Sequence, residues 1–255
     1  MKPEYPTRKG NHKSDPHIKK KMIKTPIFPV ELYVFENVGL IEPIIDALNP
    51  MERGTFNIPN TVQTTKGNLH LRPEFSPLTN FIHACLREIK HEEQFEMWGD
   101  FEISLMWGVV SPGDSGGCHQ LHRHPMSYWS GTFVLQDGYP TMFQDPVYAR
   151  THNQLEIISS KYENAVEAPI YGPGKLIIWP SWLLHFTAPH QGPEARANIS
   201  FNAFPTGPIN GGPFGQNMLN TKLIHDDNLD TFVQGDEARK IESERRTKPE
   251  LGHIA

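Results

Sequence analysis

Histidines cluster near the middle of the sequence, at His119, His122 and His124. Residues two apart on a β-strand point to the same face, so a strand through this segment would present the imidazoles of His122 and His124 to one site. His119 would need a loop to join them. Imidazole binds iron, zinc, copper and nickel, so the spacing predicts a metal site without naming the metal. A histidine-rich surface loop is the alternative interpretation.

A second group of residues follows an apolar run. The run ends in a turn at Pro180-Ser181, His185 begins the next predicted strand, and Arg196 follows on the strand after that. This order predicts that His185 lies on a barrel strand and supplies a third imidazole to the metal site. A buried guanidinium requires an anionic partner, and its planar fork fits a carboxylate. Separately, His185 would be an ordinary core histidine and Arg196 a surface residue, but their joint arrangement favours a site.

The segments that must position these residues are mainly β. Helices are predicted over Leu40 to Leu48 and over Leu78 to Ile89, where apolar residues fall on one stripe. From Phe101 to Phe204, short apolar and aromatic runs alternate with turn clusters, which is typical of a jelly roll flanked by helices, an α+β arrangement. Strands are predicted at Ile27 to Phe35, Phe101 to Val110, Ser130 to Gln136, Thr141 to Phe143, Ala165 to Ile170, Lys175 to Trp179, His185 to Ala188 and Asn198 to Phe204.

Size and charge restrict the function classes. The chain has 255 residues, two cysteines and a net charge of -5. We expect one sizeable domain in the cytoplasm, because two cysteines build no disulfide framework and no leader pattern opens the chain. No apolar run has the roughly 18 residues of a membrane span. Nucleic acid is not an expected partner, and a homo-oligomer is left open.

The predicted domain organisation has three parts. Residues 1–25 hold a lysine cluster and are expected to form a flexible basic arm. Residues 26–206 are expected to form the β domain with its helical preface. Residues 207–255 are expected to be a Gly/Pro-rich linker and a charged tail.

Two further motifs near the histidines need an interpretation. The segment Gly113 to Gly117 matches the G-x-S-x-G nucleophile pattern around Ser115. A nucleophile elbow needs a strand running into it and a helix leaving it, and neither is predicted, so a flexible loop that acts as a lid is preferred. Cys118 lies beside the histidines, but a lone thiol is more often incidental.

Four ordered blocks of sequence resemble the iron(II)/2-oxoglutarate-dependent oxygenase superfamily, especially a branch found in phage and marine bacterial genomes. The resemblance runs from Ile27 to Phe204. The blocks are His122-Arg123-His124-Pro125 with Ser130-Gly131, then Gln144-Asp145-Pro146, then Trp179 to His185, and finally Arg196 to Asn202.

The resemblance implies a double-stranded β-helix of the cupin-like kind and a set of site residues. His122 and His185 match the superfamily's two metal-binding histidines, and Arg196 matches the residue that pairs with the distal carboxylate of 2-oxoglutarate. His124 stands where the usual carboxylate ligand would be. Three arrangements remain open: His124 completes a three-histidine triad, a carboxylate such as Asp145 arrives from elsewhere, or the third protein position is empty.

Cosubstrate residues are also implied by the resemblance. Asn198 stands where many members carry a hydroxyl residue near 2-oxoglutarate, so Ser200 or Tyr128 is expected to supply that hydrogen bond. Four tryptophans are expected either to line the protected cavity or to belong to the core: Trp107, Trp129, Trp179 and Trp182.

The implied activity is an Fe(II)- and 2-oxoglutarate-dependent dioxygenase that consumes O2, releases succinate and CO2, and hydroxylates an unidentified substrate. One alternative is a non-catalytic, cupin-like metal-binding module. Another is a metal dioxygenase that uses no 2-oxoglutarate. Arg196 discriminates against the first alternative, because a structural metal site does not need it. The second would be favoured if the protein bound iron but not 2-oxoglutarate.

Overall fold

A computed structural model of the chain contains one large antiparallel sheet and two smaller ones. The structure describes residues 29–56, 62–95, 99–138, 140–146, 165–168, 170–209 and 219–223. All elements below belong to the unit that begins at Glu31. The expected basic arm and the charged tail beyond residue 223 lie outside the described residues.

The elements follow one another in an order close to the predicted one. The helices are α1 (Ile41–Leu48) and α2 (Ser76–Glu92). The strands are β1 (Tyr33–Glu36), β2 (Arg53–Phe56), β3 (Val62–Thr65), β4 (Phe101–Ser111), β5 (Trp129–Gln136), β6 (Thr141–Gln144), β7 (Ala165–Glu167), β8 (Lys175–Pro180), β9 (His185–Thr187), β10 (Arg196–Pro205), β11 (Gly207–Ile209) and β12 (Leu219–Thr221). Short 3-10 turns lie at Val38–Leu40, Leu69–Leu71 and Pro73–Phe75.

The large sheet has the order β1-β8-β5-β10-β4-β3-β2, and the smaller sheets are β7-β6-β9 and β11-β12. Along the chain, β4, β5, β8 and β10 of the large sheet alternate with β6, β7 and β9 of the small one. The segment between β4 and β5 runs antiparallel to β9, because backbone hydrogen bonds join His122 to His185 in both directions, at 2.9 and 3.0 Å. This alternation of strands between two facing sheets is the expected double-stranded β-helix.

Helix α2 covers the outer face of the large sheet with the predicted apolar stripe. Pro77 fits the first turn, where a backbone N–H would have no partner within the helix. The buried positions repeat at helical spacing, and they pack into one core with residues of α1, β4, β5 and β10. The stripe residues are Leu78, Ile82, Leu86 and Ile89.

Strand β10 separates two environments. Ala197, Ile199, Phe201 and Ala203 belong to the core beneath the helices. Because side chains alternate along a strand, the residues between them point to the opposite face, toward the small sheet. Those residues are Arg196, Asn198, Ser200 and Asn202.

The glycine opposite Phe201 is required by close packing. Gly131 of β5 pairs with Phe201, and a Cβ at position 131 would lie 2.4 Å from the Phe201 ring. Only glycine lets this ring lie against the neighbouring strand.

Some elements differ from the sequence-based expectations. β2 and β3 were not predicted, and β11 lies within the stretch expected to be a linker. The opening strand begins at Tyr33, and the predicted start at Ile27-Phe28 lies outside the described residues. Neither described helix has the length and apolarity to cross a membrane.

Candidate metal centre

Two of the three predicted ligands are brought together by strand pairing. His122 and His185 form an antiparallel bridge, which places their side chains on the same face of the small sheet. Their ring centroids lie 4.3 Å apart. On the other side of His185, Phe143 of β6 is its paired residue, so the site is held by three adjacent segments.

His124 reaches the same point by a different route from the one predicted. The sequence predicted a strand through His122 and His124, but only His122 is paired in this way, and His124 lies in the following loop. The backbone N–H of His124 donates to the carbonyl of Ser181, at 3.1 Å, in the turn after β8. This bond directs the His124 ring to 5.1 Å from both other rings.

The far nitrogens of two imidazoles are already engaged by backbone carbonyls. His122 Nδ1 lies 2.6 Å from the Gln120 carbonyl oxygen, and His185 Nδ1 lies 2.9 Å from that of Leu183. A carbonyl oxygen only accepts, so each Nδ1 carries the proton and donates it. The lone pair of each ring is therefore on Nε2, which is how metal-binding histidines are commonly oriented.

The three rings offer a donor set that fits a divalent transition metal. Their ligand atoms lie within 4.8 Å of one another, and His124 Nε2 is 3.2 Å from His185 Nε2. Two nitrogens at right angles around a metal, each about 2.1 Å from it, would be separated by about 3 Å. The spacing suits adjacent ligands, and three imidazoles are compatible with iron, zinc, copper or nickel.

No carboxylate among the described residues joins this group. Asp145, the alternative ligand from the sequence, is not part of it. Of the arrangements left open by the sequence, the described geometry therefore corresponds to the three-histidine one.

Burial keeps these imidazoles neutral. Desolvation, with a smaller contribution from neighbouring histidines, lowers the pKa of His124 to about 3. It lowers the pKa of His185 to about 4, with His122 adding to the effect. The pKa of His122 is also lowered by burial, although its hydrogen bond to Gln120 opposes the shift. Neutral imidazoles have the lone pairs that a metal requires.

His119 lies beside the cluster but is not one of the grouped ligands. Its ring centroid is 6.1 Å from that of His122, and its backbone N–H donates to Thr187 Oγ1 at 2.8 Å. Burial, followed by the charge of Arg196, lowers the pKa of His119 to about 3. His119 therefore lies between the imidazole cluster and the arginine.

Arg196 is buried in the same cavity, with 3% of its surface exposed. Its stem packs against Gly138, where a Cβ would come within 2.8 Å of the arginine side chain. Its Nε donates to the hydroxyl of Tyr171 at 3.3 Å. No described acidic residue forms an ion pair with this guanidinium, which is unusual for a buried cation.

The expected cosubstrate residues are only partly brought to the cavity. Asn198 and Ser200 line it, and Ser200 Oγ donates to Asn198 Oδ1 at 3.3 Å. Tyr128 does not line it, because its ring packs with Phe95 and Phe101, at 5.7 and 5.2 Å between centroids. The aromatic cluster at the start of β5 thus holds Tyr128 away from the site.

Thr132 is a cavity residue that the sequence interpretation missed. It faces the site from β5, opposite Ser200, and its hydroxyl is buried without a hydrogen-bond partner. The strand pattern contained a clue, because Ser130 and Thr132 alternate with Trp129 and Phe133.

The four tryptophans divide between cavity, core and surface. Trp107 and Trp179 line the cavity, and their rings lie 5.9 Å from His124 and 5.0 Å from His185 respectively. Trp129 belongs to the core beneath the helices, and Trp182 is 53% exposed.

The G-x-S-x-G loop is not a nucleophile elbow in this fold. Ser115 Oγ accepts a hydrogen bond from the backbone N–H of Gly117, and no helix follows it. The loop expected to be a lid is bonded to the segment before β10, since Asp114 N–H donates to the Gly192 carbonyl at 2.6 Å. Cys118 is not part of a disulfide bond and is not grouped with the three histidines.

Comparison with known proteins agrees with the geometry. The profile of a family described as "Putative 2OG-Fe(II) oxygenase" matches residues 105–202, a stretch that contains His122, His124, His185 and Arg196. No curated protein matches the chain.

Solved structures share the fold at low sequence identity. The non-heme alpha ketoglutarate dependent epimerase SnoN from nogalamycin biosynthesis is 10% identical with a TM-score of 0.54, over 81% of this chain and 92% of its own. The carbocyclase SnoK from the same biosynthesis is 10% identical with a TM-score of 0.51, over 68% and 79%.

The described residues form a double-stranded β-helix with a group of three histidines that could hold a metal ion. The profile match confirms the resemblance to the iron(II)/2-oxoglutarate-dependent oxygenase superfamily over residues 105–202. Proteins of the matched class act on a small-molecule cosubstrate and a substrate with Fe(II), 2-oxoglutarate and O2, and the matched stretch of this chain contains the three histidines that could hold a metal ion.

Proposed function

We propose that this chain is a dioxygenase that hydroxylates an unidentified substrate and releases succinate and CO2. The observation that carries the proposal is the buried guanidinium of Arg196, which shares a cavity with three imidazoles and forms no ion pair with a described residue. An uncompensated buried charge costs several kcal/mol. The cavity is therefore suited to an anionic ligand, and the fork of arginine fits a carboxylate.

In this proposal His122, His124 and His185 hold the metal from one side. When bound, 2-oxoglutarate would chelate this metal through its keto and adjacent carboxylate oxygens. Arg196 pairs with the distal carboxylate and so orients the cosubstrate. Bound Fe(II) supplies the activation of dioxygen.

Polar side chains beside Arg196 have matching roles. The Thr132 hydroxyl, which has no partner in the protein, donates to a cosubstrate oxygen. Asn198 and Ser200 complete the polar wall on β10 and take the place expected for Tyr128. Trp107 and Trp179 exclude water from the metal, which protects the reaction from competing oxidation.

The proposal is tested by anaerobic titration of the Fe(II)-loaded protein with 2-oxoglutarate. A chelated pair gives a weak visible charge-transfer band, so we expect this band in the wild type and in Arg123→Gln, whose arginine is exposed. We expect Arg196→Gln to lose the band at the same concentration of cosubstrate. A wild-type protein that binds Fe(II) but never develops the band would contradict the proposal.

Such a result would instead favour the metal dioxygenase that uses no 2-oxoglutarate, or the non-catalytic cupin-like module. The observation against both is again Arg196, because neither needs a buried guanidinium beside the metal.

The wider setting of the enzyme is part of the same proposal. The chain has only two cysteines, which cannot build a disulfide framework, and this supports a reducing, cytoplasmic compartment. A net charge of -5 supports a substrate other than nucleic acid. Assembly into a homo-oligomer is left open.

A further inference from the structure

A chain of polar side chains leads from His124 into the large sheet. The amide of Asn202, on β10, has Nδ2 at 3.4 Å from His124 Nδ1 and Oδ1 at 2.9 Å from Ser130 Oγ. Ser130 is the residue paired with Asn202 on β5, and it is 1% exposed. Solvent therefore cannot supply a missing hydrogen bond to the Ser130 hydroxyl.

The chain continues through two more serines. Ser130 Oγ lies 2.8 Å from Ser181 Oγ, and Ser181 Oγ lies 2.9 Å from Ser127 Oγ. Ser127 Oγ donates to backbone carbonyls, with the oxygens of Trp129 and Ala203 at 3.0 and 3.2 Å. Ser181 is fully buried, so the chain is closed to water at its centre.

The number of protons fixes the direction of every bond in this chain. Each hydroxyl has one proton to donate, and a carbonyl oxygen only accepts. Ser127 gives its proton to a carbonyl, so the proton between Ser181 and Ser127 comes from Ser181. The proton between Ser130 and Ser181 then comes from Ser130. No hydroxyl proton is left for Asn202, so its amide must donate to Ser130.

The Asn202 side-chain amide must therefore have the opposite orientation, with the positions of Nδ2 and Oδ1 exchanged. Rotating it by 180° exchanges its oxygen and nitrogen and moves no other group. Nδ2 then donates to Ser130 Oγ, and Oδ1 faces His124 Nδ1. His124 therefore carries its proton on Nδ1 and its lone pair on Nε2, as His122 and His185 do.

The opposite amide orientation would disable the ligand. Nδ2 would donate to His124 Nδ1, so the ring proton would move to Nε2, which faces His185 Nε2 at 3.2 Å. A protonated Nε2 cannot bind a metal. The serine hydroxyls therefore determine, through the orientation of the Asn202 amide, whether His124 can bind a metal through Nε2.

We propose that Asn202, Ser130, Ser181 and Ser127 form a positioning chain that holds His124 in its metal-binding tautomer. The inference rests on the proposed function, since it concerns the metal that His122, His124 and His185 would hold. It explains how a histidine can stand where relatives of this kind carry a carboxylate, which has no tautomer to choose.

Ser127→Ala tests the chain at its far end, where no contact with a ligand ring is changed. Without Ser127, the protons of Ser181 and Ser130 can turn toward Asn202, and the wrong amide orientation becomes fully bonded. We expect Co(II) affinity to fall about 10-fold in Ser127→Ala and by about 10- to 100-fold in Asn202→Leu. Ser104→Ala is the matched control, because Ser104 Oγ donates only to the Asn202 backbone carbonyl, at 3.2 Å. Its Co(II) affinity should equal that of the wild type.

The tautomer itself is a second readout that a general loss of structure would not reproduce. Ring nitrogen NMR shifts of metal-free protein distinguish a proton on Nδ1 from one on Nε2. We expect the Nε2-protonated fraction of His124 to rise in Ser127→Ala and to stay unchanged in Ser104→Ala, with thermal melting checking that both remain folded.

Failure of this inference differs from failure of the proposed function. A wild-type protein that binds no Co(II) would overturn both. A wild type that binds Co(II), with Ser127→Ala matching Ser104→Ala in affinity and in tautomer fraction, would overturn the positioning chain alone.

Discussion

The two faces of β10 are made of alternate residues of one strand, yet they are built for opposite purposes. Toward the helices, the side chains of Ile199, Phe201 and Ala203 are completely buried in the apolar core. Toward the small sheet, Arg196 and Asn198 are each 3% exposed but are polar. The side chains are equally buried on both faces, so the two faces differ in how burial affects the stability of the protein.

Burial of the apolar face stabilises the folded protein, whereas burial of the polar face destabilises it. Buried apolar side chains contribute about 1.5–3 kcal/mol each. A buried guanidinium that forms no ion pair with a described residue, and the burial of polar imidazoles, are costs that a bound ligand would offset. The comparison predicts that substitutions on one face change stability and those on the other change binding.

The largest expected effect is on the apolar face. Phe201→Ala should lower the free energy of unfolding by about 3–5 kcal/mol, because it removes a fully buried ring and leaves a cavity. Ser200→Ala, the next residue on the other face, should change it by about 1 kcal/mol or less. Urea unfolding of metal-free protein measures both, and equal effects would contradict the division of the strand.

On the site side, His185→Ala should lower metal affinity by more than about 100-fold, because a ligand itself is lost. His190→Ala is the control, since His190 is equally buried but lies outside the histidine group. Equilibrium dialysis with Ni(II) measures the affinities. Similar losses in the two variants would show that the division between faces is wrong.

A smaller effect is expected for Arg196→Lys, which keeps the charge and loses the planar fork. The affinity for 2-oxoglutarate should fall about 10-fold, as expected for replacing two charge-assisted hydrogen bonds by one. Metal affinity should not change. Calorimetric titration of both ligands separates these outcomes, and a parallel loss of metal binding would indicate general damage instead.

The smallest effect is the pH dependence of the metal-free protein. A histidine in the unfolded chain has a pKa of about 6.5. In the folded protein, burial lowers the pKa of His124 to about 3 and that of His185 to about 4. The unfolded chain therefore binds protons first as pH falls. Stability should be greatest above about pH 6.5 and decline toward about pH 4.

Urea midpoints at about pH 7.5 and about pH 5 measure this decline. His124→Gln should reduce it, since one depressed pKa is removed. A midpoint that rises on acidification would contradict the cost assigned to the polar face.

Much of the fold could be predicted from the sequence because its periodicities are strong. The apolar stripe of α2 predicts a helix, and the apolar runs of β4, β5, β8 and β10 predict strands. The histidines could be singled out from the spacing of His122 and His124, but that spacing alone left a histidine-rich surface loop as the alternative, and the later blocks at His185 and Arg196 favoured a site.

Features that depend on distant partners were not predictable. β2 and β3 are only four residues each and contain Thr, with Gly54 in β2. β3 pairs with the edge of β4, and β2 pairs in turn with β3. Thr64 and Thr65 are adjacent and both buried, so no alternation marks them.

The prediction of some site residues was wrong or incomplete for a related reason. Tyr128 was expected near the cosubstrate, but the register at the start of β5 places its ring among Phe95, Phe101 and Trp129. Thr132 and Asn202 were not assigned to the site, because their roles depend on which strands become neighbours. Sequence identifies the chemical groups, and strand pairing decides which of them meet.

The most direct test of the central claim is a crystal structure of the Fe(II)- and 2-oxoglutarate-bound protein, with anomalous scattering at the iron edge. The account predicts one iron about 2.0–2.2 Å from the Nε2 atoms of His122, His124 and His185, with the far carboxylate of the cosubstrate on Arg196. Iron bound elsewhere, or iron held by Asp145 in place of His124, would contradict it.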